Sequence, residues 1–258
     1  FYLALKSLGK PIVTTMHATG VSQQTDNGIA TTSDCVIVHN EYCAKRFGYP
    51  TTIIPHGATP SETISADEAK RSYGIDPRTP IVGYCGFISS YKGLEAVIEA
   101  MMKIPKAALL IAGGWHTQEE TEYITELKER SIAVLPKRCQ WIGYVPDEQL
   151  PTAYGAMDVV VYPSRFSTES GALIMALSYG KAVIASNLPP FREKEKVGAL
   201  MTFKDVKGLT QKIKRLLKNE KLRHGLEEGA KRYSAENSWT QVAKRHVQLY
   251  QEVVENSV

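Results

Sequence analysis

Residues 143–186 read GYVPDEQLPTAYGAMDVVVYPSRFSTESGALIMALSYGKAVIAS, and the fold turns on this stretch. Asp158–Tyr162 and Ala182–Ala185 are apolar runs without alternation, the pattern of strands buried on both faces of a parallel sheet. Glu148–Ala156 reads as a short helix before the first of them. Between them, the turn Ser167-Thr168-Glu169-Ser170-Gly171 leads from a strand end into a second helix. Such a junction gathers unpaired backbone N–H groups and the positive end of a helix dipole, which suits an anion such as a diphosphate. Ser167, Ser170, Gly171 and Ala172 are therefore candidate anion-binding positions.

Outward from this stretch the same alternation repeats. Strands are expected at Ile81–Cys85, Ala108–Ala112 and Cys139–Ile142, and helices at Gly93–Met102, Glu119–Ser131, Leu209–Lys218 and Leu222–Ala235. A last helix, Trp239–Glu255, carries apolar residues at Val242, Val247, Tyr250 and Val254. Strands alternating with helices in this way predict an α/β fold, a doubly wound parallel sheet that takes its ligands at the carboxyl ends of the strands. Ahead of it, segment 1–57 offers strands at Pro11–His17, Cys35–His39 and Thr52–Pro55 with a helix at Glu41–Phe47. Residues 58–78 read as a linker holding one short helix at 66–75. The opening FYLALKSLGK resembles the end of a helix stopped at Gly9.

Composition narrows the class. The 258 residues are 43% hydrophobic and 22% charged with a net charge of +4, an ordinary globular balance without the clustered basicity of a nucleic-acid binder. The four cysteines are scattered without ligand-like spacing, which indicates neither a zinc site nor a disulfide framework and fits a reducing cytoplasm. No apolar run approaches the ~18 residues of a membrane span. The basic stretch 204–225 interleaves Lys and Arg with apolar residues. Its plain reading is a solvated helix face, its alternative peripheral contact with an anionic membrane at the inner face.

The chemistry-bearing residues sit at strand ends. Gly86-Phe87-Ile88-Ser89-Ser90-Tyr91-Lys92-Gly93 leaves one strand and opens a helix. Its glycines let backbone approach a phosphate, and Lys92 at the helix mouth supplies a point charge. It is neither GxGxxG nor a Walker loop, and a plain βα turn is the competing reading. Gly113 and Gly114 end the next strand. His17, followed by small residues, ends the strand before the first helix-rich region, and a lone His there is more often a structural hydrogen-bonder. Asp147, after Pro146, reads as a helix N-cap.

Taken together, these segments resemble the GT-B glycosyltransferases, in particular the large retaining family called GT4. The resemblance covers essentially the whole chain but only part of such an enzyme. It implies the C-terminal, donor-binding Rossmann-like half at 79–236, a partial N-terminal Rossmann-like domain at 1–57, and a terminal helix at 237–258 that crosses back onto that domain. The first hundred or so residues of such a protein are expected to be absent, leaving apolar strand surface exposed in 1–57.

The resemblance also assigns roles. Gly86 and Lys92 match the family's diphosphate loop, G-R-x-x-x-x-K-G, with Phe87 where its Arg belongs; Arg165 is a candidate replacement. The loss of one charge-assisted phosphate contact costs roughly 1.5–3 kcal/mol. The family's E-x7-E falls on Ser167 and Met175, with Glu169 near enough to stand in for the first Glu. Met175 cannot hold a ribose hydroxyl and reads as packing. Tyr144 and Val145 match a loop whose backbone meets the nucleotide base, and Gly114 a strand end near the donor. His17 matches a T-x-H that faces the donor sugar, whereas His56 reads as structural.

The implied function is retaining transfer of a sugar from a nucleotide-diphosphate sugar to a glycan or lipid-linked acceptor. His17 and Glu169 would stand closest to the chemistry, with no metal or cofactor. The alternatives are a degenerate sugar-nucleotide-binding half that needs a partner chain, another GT-B enzyme such as an epimerase or phosphorylase, and an α/β binding module without sugar chemistry.

Overall fold

In the computed structural model, residues 2–114 and 119–256 are described, and they form two parallel sheets wrapped by helices. In chain order the elements are α1 (Tyr2–Lys6), β1 (Val13–Met16), α2 (Gln23–Thr32), β2 (Cys35–Val38), α3 (Glu41–Phe47), β3 (Thr52–Ile53) and α4 (Ala66–Ser72). The larger layer follows: β4 (Ile81–Cys85), α5 (Glu95–Met102), β5 (Ala108–Ala112), α6 (Glu119–Val134), β6 (Cys139–Gly143), α7 (Leu150–Ala156), β7 (Val159–Tyr162), α8 (Gly171–Ser178), β8 (Val183–Ser186), α9 (Pro189–Lys196) and β9 (Met201–Phe203). Three helices close the order: α10 (Val206–Lys218), α11 (Glu220–Glu236) and α12 (Trp239–Glu255).

The larger sheet runs β6-β5-β4-β7-β8-β9, all parallel. Strand order therefore reverses at β4, the arrangement in which ligands settle at the carboxyl ends of the central strands. Every residue of β4 and β7 is buried, which is why both read as unbroken apolar runs. Asp158 was expected inside β7 but pins its start instead. Its carboxylate accepts from the Ile81 amide at 2.7 Å and pairs with the buried Lys70 ammonium at 2.9 Å. Through Lys70, and through Ala69 buried in the same core, α4 is packed onto this layer although it lies in the stretch expected to be a linker.

Two helix starts also move. Gly93 has a left-handed φ of 67°, and a Cβ there would stand 2.5 Å from the Pro163 carbonyl oxygen. The chain makes a single 3₁₀ turn at Ser90–Lys92 first, and α5 begins at Glu95. Likewise a 3₁₀ turn at Asp147–Gln149 precedes α7, and Asp147 makes no side-chain cap.

The small sheet, ordered β1-β2-β3, is covered on both faces. Alternation along β2 sends Val36 and Val38 toward Cys43 and Phe47 of α3, and Ile37 toward Val242 and Leu249 of α12. The apolar strand surface expected to lie open in 1–57 is thus buried for β2. Helix α12 contacts that sheet through Val242, Leu249 and Val253, while Val247, Tyr250 and Val254 face outward. It is anchored where Ala58 and Asn237–Trp239 exchange backbone hydrogen bonds of 2.9 and 3.1 Å. Helix α10 spends its apolar stripe, Leu209, Ile213 and Leu216, on the large core, so its exposed side is polar: Lys207, Gln211, Lys214, Arg215 and Lys218. No described helix is long and apolar enough to cross a membrane.

Leu249→Ala should destabilise the protein by about 2 kcal/mol, near the low end for buried leucines because its position is at the core's edge. Urea unfolding would show it. An unchanged midpoint would mean that α12 rests on the small sheet without holding it.

Candidate functional site

A cavity of about 290 Å³ opens at the carboxyl ends of β4, β5 and β6. Gly86 and Phe87 from the β4 end, Gly114 from β5, Tyr144 and Val145 from β6, and Gly171, Ala172 and Met175 from α8 all line it. Its backbone walls are close-packed by necessity. A Cβ on Gly113 would collide with the Gly86 carbonyl oxygen, and the Gly86 amide in turn donates to the Ala112 carbonyl at 2.9 Å. Tyr84 fixes the next residue by donating its hydroxyl to the Phe87 carbonyl at 2.5 Å. Burial pushes the Tyr154 and Tyr162 hydroxyls well up and the Cys85 thiol up, so all three stay neutral; Tyr154 and Cys85 belong to the lining.

Helix α8 starts at this cavity. The Ser170 hydroxyl accepts from the Leu173 amide at 3.3 Å. The Gly171 and Ala172 amides, in the first turn, have no intrahelical acceptor and belong to residues that line the cavity. Six expected positions therefore converge here: Gly86, Gly114, Tyr144, Val145, Gly171 and Ala172. Met175, expected to pack, is 36% exposed and lines the cavity instead. Tyr144 is 69% exposed at its edge.

Other expected site residues lie outside it. Lys92 carries its ammonium 4.7 Å above the Tyr91 ring. Arg165, expected to replace the missing loop cation, is turned toward Glu95 at 3.3 Å. The Ser167 hydroxyl folds back to donate to the Glu169 carbonyl at 2.9 Å. Glu169, expected beside the chemistry, is withdrawn from it. Its carboxylate, 4% exposed, meets the equally buried Lys194 ammonium at 2.8 Å and accepts from the Ser170 amide at 2.9 Å. Burial alone would raise this carboxyl, but Lys194 and the donors around it hold it below its ordinary value. Lys194 is held above its own, the attraction of Glu169 outweighing burial.

The turn 167–170 also joins the two sheets. Asn40 donates its side-chain amide to the Thr168 carbonyl at 2.8 Å, and the Thr168 hydroxyl donates to the His17 carbonyl at 3.1 Å. One helix over, the Glu193 carboxylate accepts from the Glu41 and Tyr42 amides that open α3. This joint carries His17 to the flank of α8, within a cluster of three imidazoles: His17, His39 and His56 have ring centroids 4.7, 5.5 and 6.3 Å apart. His39, 8% exposed, is held neutral by burial. His56, read from sequence as structural, lies 3.9 Å from where a Cβ on Gly171 would stand. Sequence reading passed over His39, Asn40 and Lys194. For Asn40 a signal existed, an Asn between a strand and a helix, where it caps α3 by accepting from the Cys43 amide at 2.8 Å.

The sequence profile described as "Glycosyl transferases group 1" matches residues 65–233, most of the chain and all of the cavity. The chain belongs to this glycosyltransferase family. Among its relatives, the lipopolysaccharide core biosynthesis mannosyltransferase LpsB of Rhizobium meliloti is 27% identical over 189 residues, which are 68% of this chain and 53% of that protein. A D-inositol 3-phosphate glycosyltransferase of Corynebacterium jeikeium is 27% identical over 226 residues, 80% of this chain and 54% of its own length. The chain thus spans about half the length of these relatives. Among solved structures, the sucrose-phosphate synthase of Thermosynechococcus elongatus superposes with a TM-score of 0.82 at 24% identity, covering 95% of this chain and 68% of that one. Anabaena Alr3699/HepE in complex with UDP gives 0.88 at 17% identity, covering 97% and 75%. The fold of this glycosyltransferase chain is accordingly GT-B, its larger sheet the C-terminal Rossmann-like half.

The Glu169–Lys194 pair generates a sign-definite expectation. Because Glu169 sits below its ordinary value, its stabilising contribution is present at neutral pH and is lost as pH falls through the folded-state value. That of Lys194, held above its ordinary value, persists to high pH and is lost only as pH rises through its own. Lys194→Ala, which strands a buried carboxylate, should cost about 3–5 kcal/mol at pH 7. Lys194→Met with Glu169→Leu should recover most of it. Urea titrations across pH would check both, and a Lys194→Ala loss below 1 kcal/mol would show the pair to be solvated.

Proposed function

We propose that this chain is the donor-binding half, with part of the acceptor-side domain, of a retaining GT4-type glycosyltransferase. It transfers a sugar from a nucleotide-diphosphate donor to a glycan or lipid-linked acceptor. The observation that carries the reading is the 290 Å³ cavity at the strand-order reversal, floored by glycines and closed by the amide-rich start of α8. HepE is described in complex with UDP and with UDP-glucose, and LpsB is named a lipopolysaccharide core biosynthesis mannosyltransferase and an Escherichia coli relative an O-antigen chain mannosyltransferase, which supports both the donor class and the acceptor class.

In this reading the base rests against backbone at Tyr144–Val145 and the diphosphate lies between the Gly86 turn and the Gly171 and Ala172 amides. Lys92 swings from Tyr91 to meet the phosphates. These groups stabilise the charge that develops on the departing diphosphate, without a metal ion. The acceptor attacks from the leaving-group face, and the leaving phosphate takes its proton, so no protein carboxylate is needed as base. This agrees with the withdrawal of Glu169 into its ion pair. His17 stands on the sugar side. Phe87 and Met175 replace two polar donor contacts with apolar surface, so the amides of α8 and Lys92 bear more of the phosphate charge than they would with an arginine at position 87.

Calorimetric titration with UDP, GDP and ADP is the test. One nucleotide should bind in the micromolar range, Lys92→Ala should weaken it about 10- to 100-fold, and Phe87→Arg should tighten it by about tenfold, the value of one charge-assisted contact. Binding of none of the three, with the protein folded, would overturn the reading.

A further inference from the structure

We infer that His39 is a positioning residue for His17: through one hydrogen bond it fixes the His17 tautomer so that the exposed Nε2 presents a lone pair to a sugar hydroxyl. The inference rests on the donor reading above for its purpose, but its geometry stands on its own.

A backbone carbonyl sets the tautomer. His39 Nδ1 lies 3.0 Å from the Ile54 carbonyl oxygen, and a carbonyl only accepts, so Nδ1 carries the hydrogen. In neutral His39 the other nitrogen, Nε2, is then an acceptor. It stands 3.0 Å from His17 Nδ1, which must therefore be the donor. With Nδ1 protonated, neutral His17 is left with a lone pair on Nε2, and its ring is exposed where His39 is buried. The nitrogen that carries the proton is set by the bond the other one makes, the usual way a protein selects an imidazole tautomer.

The neighbourhood reinforces this assignment. The Thr168 hydroxyl holds the His17 backbone at 3.1 Å, so the ring is carried on a fixed main chain. His56 obeys the same rule. Its Nδ1 is 2.8 Å from the Gly57 carbonyl oxygen, which leaves its Nε2, close to Gly171, as a second lone pair. The charged groups near the cluster are Glu169, from the turn before α8, and its partner Lys194, from α9. These neutralise one another. Burial lowers His39, and the neighbouring imidazoles His17 and His56 add to that, so His39 stays neutral and its Nε2 keeps the lone pair that accepts from His17. The small sheet thus offers two imidazole acceptors beside the mouth of α8, where a sugar attached to a diphosphate in the cavity would lie.

The experiment reads the tautomer directly, by ¹⁵N–¹H correlation of the histidine rings at pH 8 in the whole chain, with affinities for UDP and UDP-glucose (and for GDP and GDP-mannose) measured alongside. Expected are His17 in the Nδ1–H form in the native protein, a shift to the Nε2–H form in His39→Leu, and recovery in His39→Gln, whose side-chain oxygen can accept from His17. His39→Leu should also lose about fivefold to tenfold of the extra affinity that the hexose confers while the affinity for the nucleotide diphosphate alone is unchanged, which a merely structural defect would not spare. A His17 that is Nε2–H in the native protein, or unmoved in His39→Leu, overturns the relay. A native protein with the expected tautomer but no affinity for any of the four nucleotides overturns the donor reading instead.

Discussion

The arrangement of the whole cleft depends on one buried ion pair. Glu169 and Lys194 meet in the turn that ends β7 and the helix that follows β8, and around them the backbone of 167–170 is held by Asn40 and His17, which follow strands of the small sheet, and by the Glu169 carboxylate itself. A buried pair of this kind contributes little net stability against an apolar alternative, because desolvation offsets most of its attraction. It is unforgiving of misplacement, however. Only one path of the turn satisfies the carboxylate, the ammonium and the Ser170 amide at once, and that path decides where α8 begins and which amides meet the cavity.

With its acidic group used this way, the site divides its labour. The large sheet supplies shape and backbone: glycines that let strands approach, free amides at a helix start, and a lining in which Asp147 is the only carboxylate among the described residues. The small sheet supplies side-chain chemistry in the form of its imidazole cluster. Neither half alone has both. The Thr168 tie between them is therefore a functional joint as well as a structural one, since a shift of that single carbonyl and hydroxyl would move His17 relative to Gly171.

Much of this was readable in the amino-acid order. The helix Glu41–Phe47 and the strands Ile81–Cys85 and Ala108–Ala112 fall where the apolar pattern puts them, because each buries an unbroken or regularly spaced apolar face; the helix Trp239–Glu255 keeps its bounds but buries Val242, Leu249 and Val253 in place of Val247, Tyr250 and Val254. The misses have local causes. Helix α2, QQTDNGIATT, shows no apolar period because its one buried residue is Asp26, which accepts from the Gly20 amide at 2.7 Å. Helix α9, PPFREKEK, looks like a solvated charge run, yet Lys194 is buried on an ion pair no spacing announces. β9 is three residues at a sheet edge. In the site, glycines and helix starts could be located because backbone geometry constrains sequence. Where Glu169, Met175 and Arg165 point could not, since each depends on a partner distant in the chain or on the path of a turn.

The covering of Ile37 by α12 has a consequence in time. Ile37 of β2 and Ile54 just after β3 precede the six-stranded layer in the chain, but the residues that shield them, Val242 and Leu249, come after all of it. Contacts of such long sequence separation form late, since closing the intervening chain is entropically unfavourable. During synthesis one face of the small sheet therefore stays wet and adhesive while the larger domain folds, and helix α12 acts as the latch that ends this exposure. The order of events is written into the topology: the imidazole cluster, which rests on that same sheet beside Trp239, is the last part of the cleft to become rigid.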